Sequence, residues 1–294
     1  MNLCLRSLIF WCCVSVCCLQ PFVITGCSGT KAVVPPVSVE NQQTYQIGKF
    51  VWFDLFTTDI EQAVPFYEHL FGWKSVPVNT SSSNLMTIFS NDKPIGNIVQ
   101  RKKDTLASKW LSYLSVADFD LALKSIGRAH GKIIHNIGDL PDRGQVAIVS
   151  DDQKATFAVI KSSSGDPGDE LGVNQWMDCE LWTKNVNMAV LFYEQIVQYE
   201  PETIPLTETI TYTQLMRDGL RRGGVVKIPW KGIEPEWIPY VAVRDISSMT
   251  AKVEELGGKI LLEPQIESLD GRVAIIADPC GAVLGLQQIA EGGD

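Results

Sequence analysis

The order of apolar and polar residues along this chain predicts several strands around each helix. Short runs rich in β-branched and aromatic residues, each ended by turn-forming residues, are typical of β-strands. In the first half of the chain they are Leu85–Phe89, Ile95–Gln100, Lys132–His135, Val146–Val149 and Thr156–Ile160. After Asp59, the apolar residues Ala63, Phe66 and Leu70 share one face at helical spacing. The pattern therefore predicts mixed α and β structure.

Four polar residues mark the expected starts of helices. Each follows a β-like run and precedes a helix-like run, which is the position of an N-cap whose side chain accepts a hydrogen bond from the first turn. They are Asp59, Asp118, Asn185 and Asp245. Their spacing predicts that a β-α-β-β-β unit occurs four times.

Three segments of the first half recur about 126 or 127 residues later, so the chain contains an internal duplication. The pairs are Ala63–Glu68 with Ala189–Glu194, Trp110–Asp118 with Trp237–Asp245, and Gly144–Asp151 with Gly271–Asp278. The duplication predicts one domain over 47–161 and a second over 175–288. Residues 162–174 have the composition of a linker, and 289–294 form a short tail.

Composition narrows the class of protein. The chain has 294 residues, of which 45% are hydrophobic, and this excludes a disordered or low-complexity chain. The length suffices for two domains with their own cores, in agreement with the duplication. Acidic residues number 34 against 25 basic ones, for a net charge of −9. Nucleic acid is therefore not an expected partner, because phosphate binding needs a cationic surface.

The N-terminal residues have the pattern of an export signal. Arg6 precedes an apolar run that ends in Ile24-Thr25-Gly26-Cys27, and six of the eight cysteines lie in this region. A basic start, an apolar core and a small-residue site are typical of a secretory signal peptide, and the last four residues resemble the bacterial lipobox. We expect residues 1–26 to be removed, Cys27 to be lipidated and 27–46 to form a polar tether. An uncleaved membrane anchor and a plain signal peptide are the alternatives.

The same region predicts where the protein acts. A lipid on Cys27 makes the membrane a partner and places the protein in the bacterial cell envelope, on the periplasmic side. Ser28 follows the lipidated position, which resembles a signal for sorting to the outer membrane. Outside this region, Cys179 and Cys280 are either free or joined in one disulfide.

The repeated segments resemble the vicinal oxygen chelate superfamily, which includes glyoxalase I, bleomycin-resistance proteins and extradiol dioxygenases. The residues that carry this resemblance are Val51–Asp59 with Phe66, Tyr67 and Phe71–Trp73, Trp110 with Tyr113, Trp237 with Tyr240, and Gly271-Arg272 with Asp278-Pro279-x-Gly281. The detailed pattern is closest to the tandem-domain group of hydroxylase and antibiotic-resistance type. The resemblance implies an α+β fold of two tandem domains. Each would pair two βαβββ modules in an eight-stranded, cup-shaped mixed sheet around a pocket.

Metal enzymes of this superfamily carry His, Glu or Gln ligands at set positions on these strands. The matching positions hold Trp52, Leu111 and Ala158 in the first domain, and Asp178, Ile238 and Gly285 in the second. Only Asp178 could bind a cation, whereas zinc needs three or four ligands. The histidines, His69, His130 and His135, lie outside these positions. We therefore expect no metal and no other cofactor, and the sequence leaves open whether the protein is an enzyme.

Strand alternation selects the candidate ligand-binding residues, because every second side chain shares a face. They are Trp52, Asp54 and Phe56 in the first domain, Asp178, Glu180 and Trp182 in the second, and Tyr113 and Tyr240 on the partner modules. Carboxylates and a phenol in an apolar cup suit a small organic ligand that is cationic or rich in hydroxyl groups. Trp182 could stack on such a ligand. The alternative is that these residues are core or are paired within the protein.

Asp178 and Glu180 are the candidate catalytic residues. Two carboxylates on one inner face should raise each other's pKa, which could provide a general base. Because the second cup is the more polar, we expect it to be the functional one. The favoured hypothesis is a metal-independent protein that binds a small molecule, as in resistance by sequestration. The alternatives are a lyase, isomerase or oxygenase of the same superfamily that uses these acids, and a structural envelope module with vestigial pockets. A homodimer is compatible with each of them.

Overall fold

A computed structural model describes the chain from residue 34 to residue 289, with gaps. The described ranges are 34–40, 42–79, 82–102, 107–205, 211–228, 230, 232–264 and 272–289. The predicted signal peptide and Cys27 lie outside the described residues. None of the described helices is long and apolar enough to cross a membrane.

The described residues form sixteen strands and four helices. The first half contains β1 (Phe50–Thr57), α1 (Ile60–Phe71), β2 (Lys74–Asn79), β3 (Ser82–Ser90), β4 (Lys93–Gln100), β5 (Lys109–Ser115), α2 (Phe119–Arg128), β6 (Lys132–Leu140), β7 (Gly144–Ser150) and β8 (Thr156–Ser162). The second half contains β9 (Trp176–Thr183), α3 (Val186–Val197), β10 (Glu200–Pro205), β11 (Thr211–Arg217), β12 (Leu220–Lys227), β13 (Glu236–Val243), α4 (Ile246–Glu255), β14 (Lys259–Leu262), β15 (Val273–Ala277) and β16 (Val283–Gln288). This order confirms the fourfold β-α-β-β-β unit.

The four predicted N-caps all begin helices. The side chain of Asp59 accepts a hydrogen bond from the backbone N–H of Gln62 at 3.1 Å. Asp118, Asn185 and Asp245 make the equivalent contact three residues ahead. Each contact satisfies one N–H that the first helical turn leaves without a partner. The caps therefore fix where each helix leaves its preceding strand.

Each half of the chain forms one eight-stranded mixed sheet. The strand order is β2-β3-β4-β1-β5-β8-β7-β6 in the first sheet and β10-β11-β12-β9-β13-β16-β15-β14 in the second. The two central strands of each sheet, one from each module, are antiparallel. Each of them pairs in parallel with the last strand of its own module. The α+β fold with two tandem paired-module domains is thus confirmed.

Each sheet has two different faces. One face packs against helices and against the other domain in a single apolar core that includes Leu55, Phe66, Leu181 and Trp237. The opposite face carries its own smaller apolar cluster. We call these opposite faces the first cup, which includes Trp52, Leu111, Tyr113 and Ala158, and the second cup, which includes Trp182, Ile238, Tyr240 and Ile275.

Buried polar contacts join the two domains. The hydroxyl of Tyr67 on α1 donates to the carboxylate of Asp278 in the other domain at 3.0 Å, and accepts from the indole N–H of Trp110 at 3.1 Å. The second domain repeats this arrangement with Tyr193, Asp151 and Trp237. Each domain therefore sends one helix tyrosine to the turn that follows a strand of its neighbour.

The two cysteines among the described residues are free. Cys179 lies in the core between the sheets, with its sulfur 3.3 Å from the hydroxyl of Ser112. Burial raises the pKa of the Cys179 thiol well above its ordinary value. The structure therefore supports the free alternative of the two that the spacing leaves open.

Candidate functional site

The carboxylate of Asp54 lies in the first cup and accepts hydrogen bonds on both of its oxygens. One oxygen accepts from the indole of Trp52 at 2.8 Å and from the amide of Asn97 at 2.9 Å. The other accepts from the hydroxyl of Tyr113 at 2.5 Å. Burial raises the pKa of Asp54, and the charge of Arg143 and these hydrogen bonds oppose that rise. The candidate acid of this cup thus has its partners within the chain.

Arg143 is buried and packs on Trp52 in the first cup. Its guanidinium carbon lies 3.8 Å from the ring centre of Trp52, a cation–π contact. Its Nε donates to the carbonyl oxygen of Pro35 at 2.8 Å. Val37, which is 1% exposed, packs within the cluster of this cup. Residues that precede the first strand therefore cover the first cup.

We call residues 34–46, except Asn41, which is not described, the strap. It is fixed to the chain that follows β8. The backbone N–H of Ser38 donates to the hydroxyl of Ser164 at 3.1 Å, and that of Gln46 donates to Asp166 at 2.8 Å. The N–H of Asp166 donates back to the carbonyl of Thr44 at 2.7 Å. The strap, from the expected tether, and Ser164 and Asp166, from the expected linker, are thus folded against each other on the first domain. Each segment supplies hydrogen-bond partners for the other.

Glu180 occupies the corresponding place in the second cup. Its Oε1 accepts from the indole of Trp182 at 2.7 Å and from the hydroxyl of Tyr240 at 3.1 Å. Burial raises the pKa of Glu180, the two hydrogen bonds lower it, and the neighbouring charge of Asp178 raises it. Burial also raises the pKa of Tyr240 well above its ordinary value, so its phenol is the hydrogen-bond donor.

Asp178 forms an ion pair with Arg221 in the same cup. The guanidinium contacts one carboxylate oxygen, and the other oxygen accepts from the N–H of Cys179 at 2.8 Å. Arg221 also donates to the hydroxyl of Tyr212 at 2.7 Å. Burial raises the pKa of Asp178, and the charge of Arg221 opposes that rise. One of the two candidate catalytic acids is therefore already neutralised by a partner.

For Arg221 and Arg222 the sequence favours a solvated turn, with pairing to acids as the alternative, and the structure shows that both pair with acids. Tyr212, on β11, is not singled out by the sequence. Strand alternation fails on β12. Leu215 lies opposite Gly223, but Met216 lies opposite Arg221, so Arg222 is an extra residue in a β-bulge. The bulge places Arg221 on the cup face, beside Asp178. Arg222 is buried and donates to Asp169 at 2.6 Å and to Gln46 at 2.7 Å. Nothing in a single sequence marks such a bulge.

Two indoles line the edge of the second cup. The ring centres of Trp182 and Trp230 are 5.4 Å apart. Trp182 is buried, whereas Trp230 is 45% exposed. Asp178 and Glu180 are both only partly buried. The second cup therefore combines an aromatic wall with acidic groups that solvent still reaches.

The positions where related metal enzymes hold their ligands do not fit a metal here. Asp178 lies opposite Tyr240, and Tyr240 lies beside Gly285, so the neighbouring strands offer Asp178 no second ligand. Its one carboxylate is already paired with Arg221. In the first cup the residues at these positions are apolar. Across the residues that the structure describes, no group of three or more His, Cys, Asp or Glu could hold a metal ion.

The fold defines a class of protein in which paired βαβββ modules form a cup-shaped sheet. Residues 49–159 match the family described as the Glyoxalase/Bleomycin resistance protein/Dioxygenase superfamily. The second domain repeats the strand order of the first. The match to this family thus covers the first domain.

Two relatives align with most of the chain. The candidate glyoxylase CFP32 of Mycobacterium bovis is 26% identical over 249 residues, which cover 81% of this chain and 94% of the relative. The anthracycline biosynthesis protein DnrV of Streptomyces peucetius is 27% identical over 267 residues, which cover 83% of this chain and 94% of the relative. Both alignments extend across the two domains.

Solved structures share the fold. The Mn(II)-bound glyoxalase of Novosphingobium aromaticivorans superposes with a TM-score of 0.57 at 12% identity, covering 83% of this chain and 82% of that chain. The 2,2′,3-trihydroxybiphenyl 1,2-dioxygenase of Sphingomonas wittichii superposes with a TM-score of 0.58 at 12% identity, covering 83% of this chain and 91% of that chain. At such identities the likeness concerns the fold alone.

Proposed function

We propose that this protein binds a small organic molecule in its second cup, without a metal ion. The difference between the cups carries this proposal. Pro35 and Val37 of the strap cover the first cup. In the second cup, Asp178 and Glu180 are partly exposed, and the half-exposed Trp230 packs against Trp182. Concave apolar sites with a few polar groups are the usual form of small-molecule sites.

The aromatic wall supports a ligand with a flat apolar part. Trp182 and Trp230 pack against each other with ring centres 5.4 Å apart, and the exposed indole of Trp230 offers a surface on which another ring can stack. The Streptomyces relative is named an anthracycline biosynthesis protein. Binding without chemical change, as in resistance by sequestration, needs no metal ligands. The positions that hold them in related enzymes are unsuited to a metal here.

Native mass spectrometry of the purified protein, followed by a thermal-shift screen with flat organic compounds, tests this function. Any compound that binds is then measured against Trp230→Ala, which we expect to weaken binding about tenfold through loss of stacking. Leu261→Ala is the control, since Leu261 is also exposed and lies on β14 of the same domain. Tyr113→Phe, in the first cup, should leave the affinity unchanged. If Tyr113→Phe weakens binding and Trp230→Ala does not, the site has been assigned to the wrong cup.

We also propose that the protein acts in the bacterial cell envelope, held by a lipid on Cys27. Residues 28–33 separate Cys27 from the strap and can span at most about 20–22 Å. The strap would then keep the first cup close to the membrane. Globomycin should block processing of the precursor, and Cys27→Ala should release the protein from the membrane fraction. Membrane attachment of Cys27→Ala would contradict the lipoprotein assignment.

A further inference from the structure

The carboxylates at corresponding positions of the two cups differ in their hydrogen-bond partners. Asp54 and Glu180 each accept hydrogen bonds from one indole and one tyrosine. Asp54 has a third donor, Asn97, which lies opposite it on β4. The residue opposite Glu180 on β12 is Gly224, which has no side chain. Both hydrogen bonds to Glu180 end on Oε1, and no described residue donates to its Oε2.

The charges of the cups differ as well. Arg143 compensates Asp54, since its charge favours the ionised carboxylate. In the sequence, Arg143 precedes the repeated glycine Gly144, whereas the residue before the corresponding Gly271 is Asp270, which lies outside the described residues. The second cup has its own cation, Arg221, but that group is paired with Asp178. Burial raises the pKa of Glu180 and the charge of Arg221 opposes that rise, but Arg221 forms its ion pair with Asp178, so one guanidinium serves two carboxylates.

The second cup also offers a surface for a flat cation. In the first cup, the guanidinium of Arg143 lies over the Trp52 ring while it compensates Asp54. The second cup has the exposed ring of Trp230 against Trp182, and Trp182 donates to Glu180. A planar cation can therefore contact an indole face and the carboxylate together, which combines a cation–π contact with a charge-assisted hydrogen bond.

We infer that the second cup selects a flat organic cation, such as an amidinium or a protonated aromatic amine, whose charged group donates to Oε2 of Glu180. The first cup carries this arrangement within its own chain, where Arg143 acts as the cation. The inference rests on the proposed function of the second cup and names the class of its ligand.

A charge series on one ring tests the inference with the purified full-length protein. Isothermal titration calorimetry at neutral pH would compare benzamidine, benzamide and benzoate. We expect benzamidine to bind about tenfold or more tightly than benzamide, and benzoate to bind most weakly. Glu180→Gln should bring benzamidine down to the level of benzamide, because the Gln amide still accepts from Trp182 and Tyr240 but carries no charge. Glu234→Gln, at an exposed carboxylate paired with Lys184, is the matched control.

Two outcomes overturn the inference. One is benzamide or benzoate binding as tightly as benzamidine, and the other is no binding of the three compounds at millimolar concentration. In either case the proposed function is judged separately, by whether other flat compounds bind and lose affinity in Trp230→Ala. A melting curve shows whether Glu180→Gln folds. If it does not, the charge series on the unaltered protein still decides.

Discussion

Replacing Tyr193 by Phe tests how the two domains are held together. The Tyr193 hydroxyl accepts from the indole of Trp237 at 2.7 Å and donates to Asp151 at 3.2 Å. Asp151 and Trp237 are each 2% exposed, so water cannot replace the lost partner. A buried group left without its hydrogen bond costs about 1–3 kcal/mol, and two such groups give about 2–6 kcal/mol. The ring packing against Phe157 remains.

Urea unfolding, followed by tryptophan fluorescence, measures this change as a lower free energy of unfolding at constant m-value. Tyr45→Phe is the matched control, because its hydroxyl donates to Gln43 at the surface. We expect that control to change stability by less than about 0.5 kcal/mol. Tyr67→Phe should repeat the loss at the equivalent contact with Asp278. If Tyr193→Phe is as stable as Tyr45→Phe, these contacts do not hold the domains together.

Three further predictions concern the strap, pH and metals. Val37→Ala should lower the free energy of unfolding by about 1–2 kcal/mol, whereas Val39→Ala, at a position 54% exposed, should change it little. Equal urea midpoints for the two variants would contradict the packing of the strap against the first cup. Burial raises the pKa of Asp151 to about 6, above its value of about 4 when unfolded, so folding binds a proton between these values. This group should cost about 3 kcal/mol of stability as pH rises from about 4 to 6, and Asp151→Asn should flatten that part of the profile; an unchanged slope would refute it. Mn²⁺ or Zn²⁺ should leave the melting temperature unchanged, and a rise that Asp178→Ala removes would contradict metal independence.

Local pattern was sufficient for most of the fold. Asp59 and its three equivalents are polar residues between a β-like and a helix-like run, and a cap depends only on the next three residues. Strand alternation placed Trp52 and Asp54 on one face, because the side-chain period of a strand is fixed. The duplicated segments then predicted two copies of the same sheet.

The placement of Arg221 and Val37 depends on long-range packing, which the local pattern does not contain. The bulge at Arg222 turns Arg221 towards Asp178, and a bulge depends on the register of the neighbouring strand. Val37 is buried only because a cup formed by later residues receives it.

The sequence by itself determined the elements, their fourfold order and the duplicated domains. These properties follow from near neighbours and from internal similarity. Only the tertiary structure decided that the strap covers the first cup, that Arg221 neutralises Asp178 and that Tyr193 reaches Asp151. Each of these contacts joins residues far apart in the chain, so it depends on the packing of whole sheets and leaves no periodic signal in the sequence.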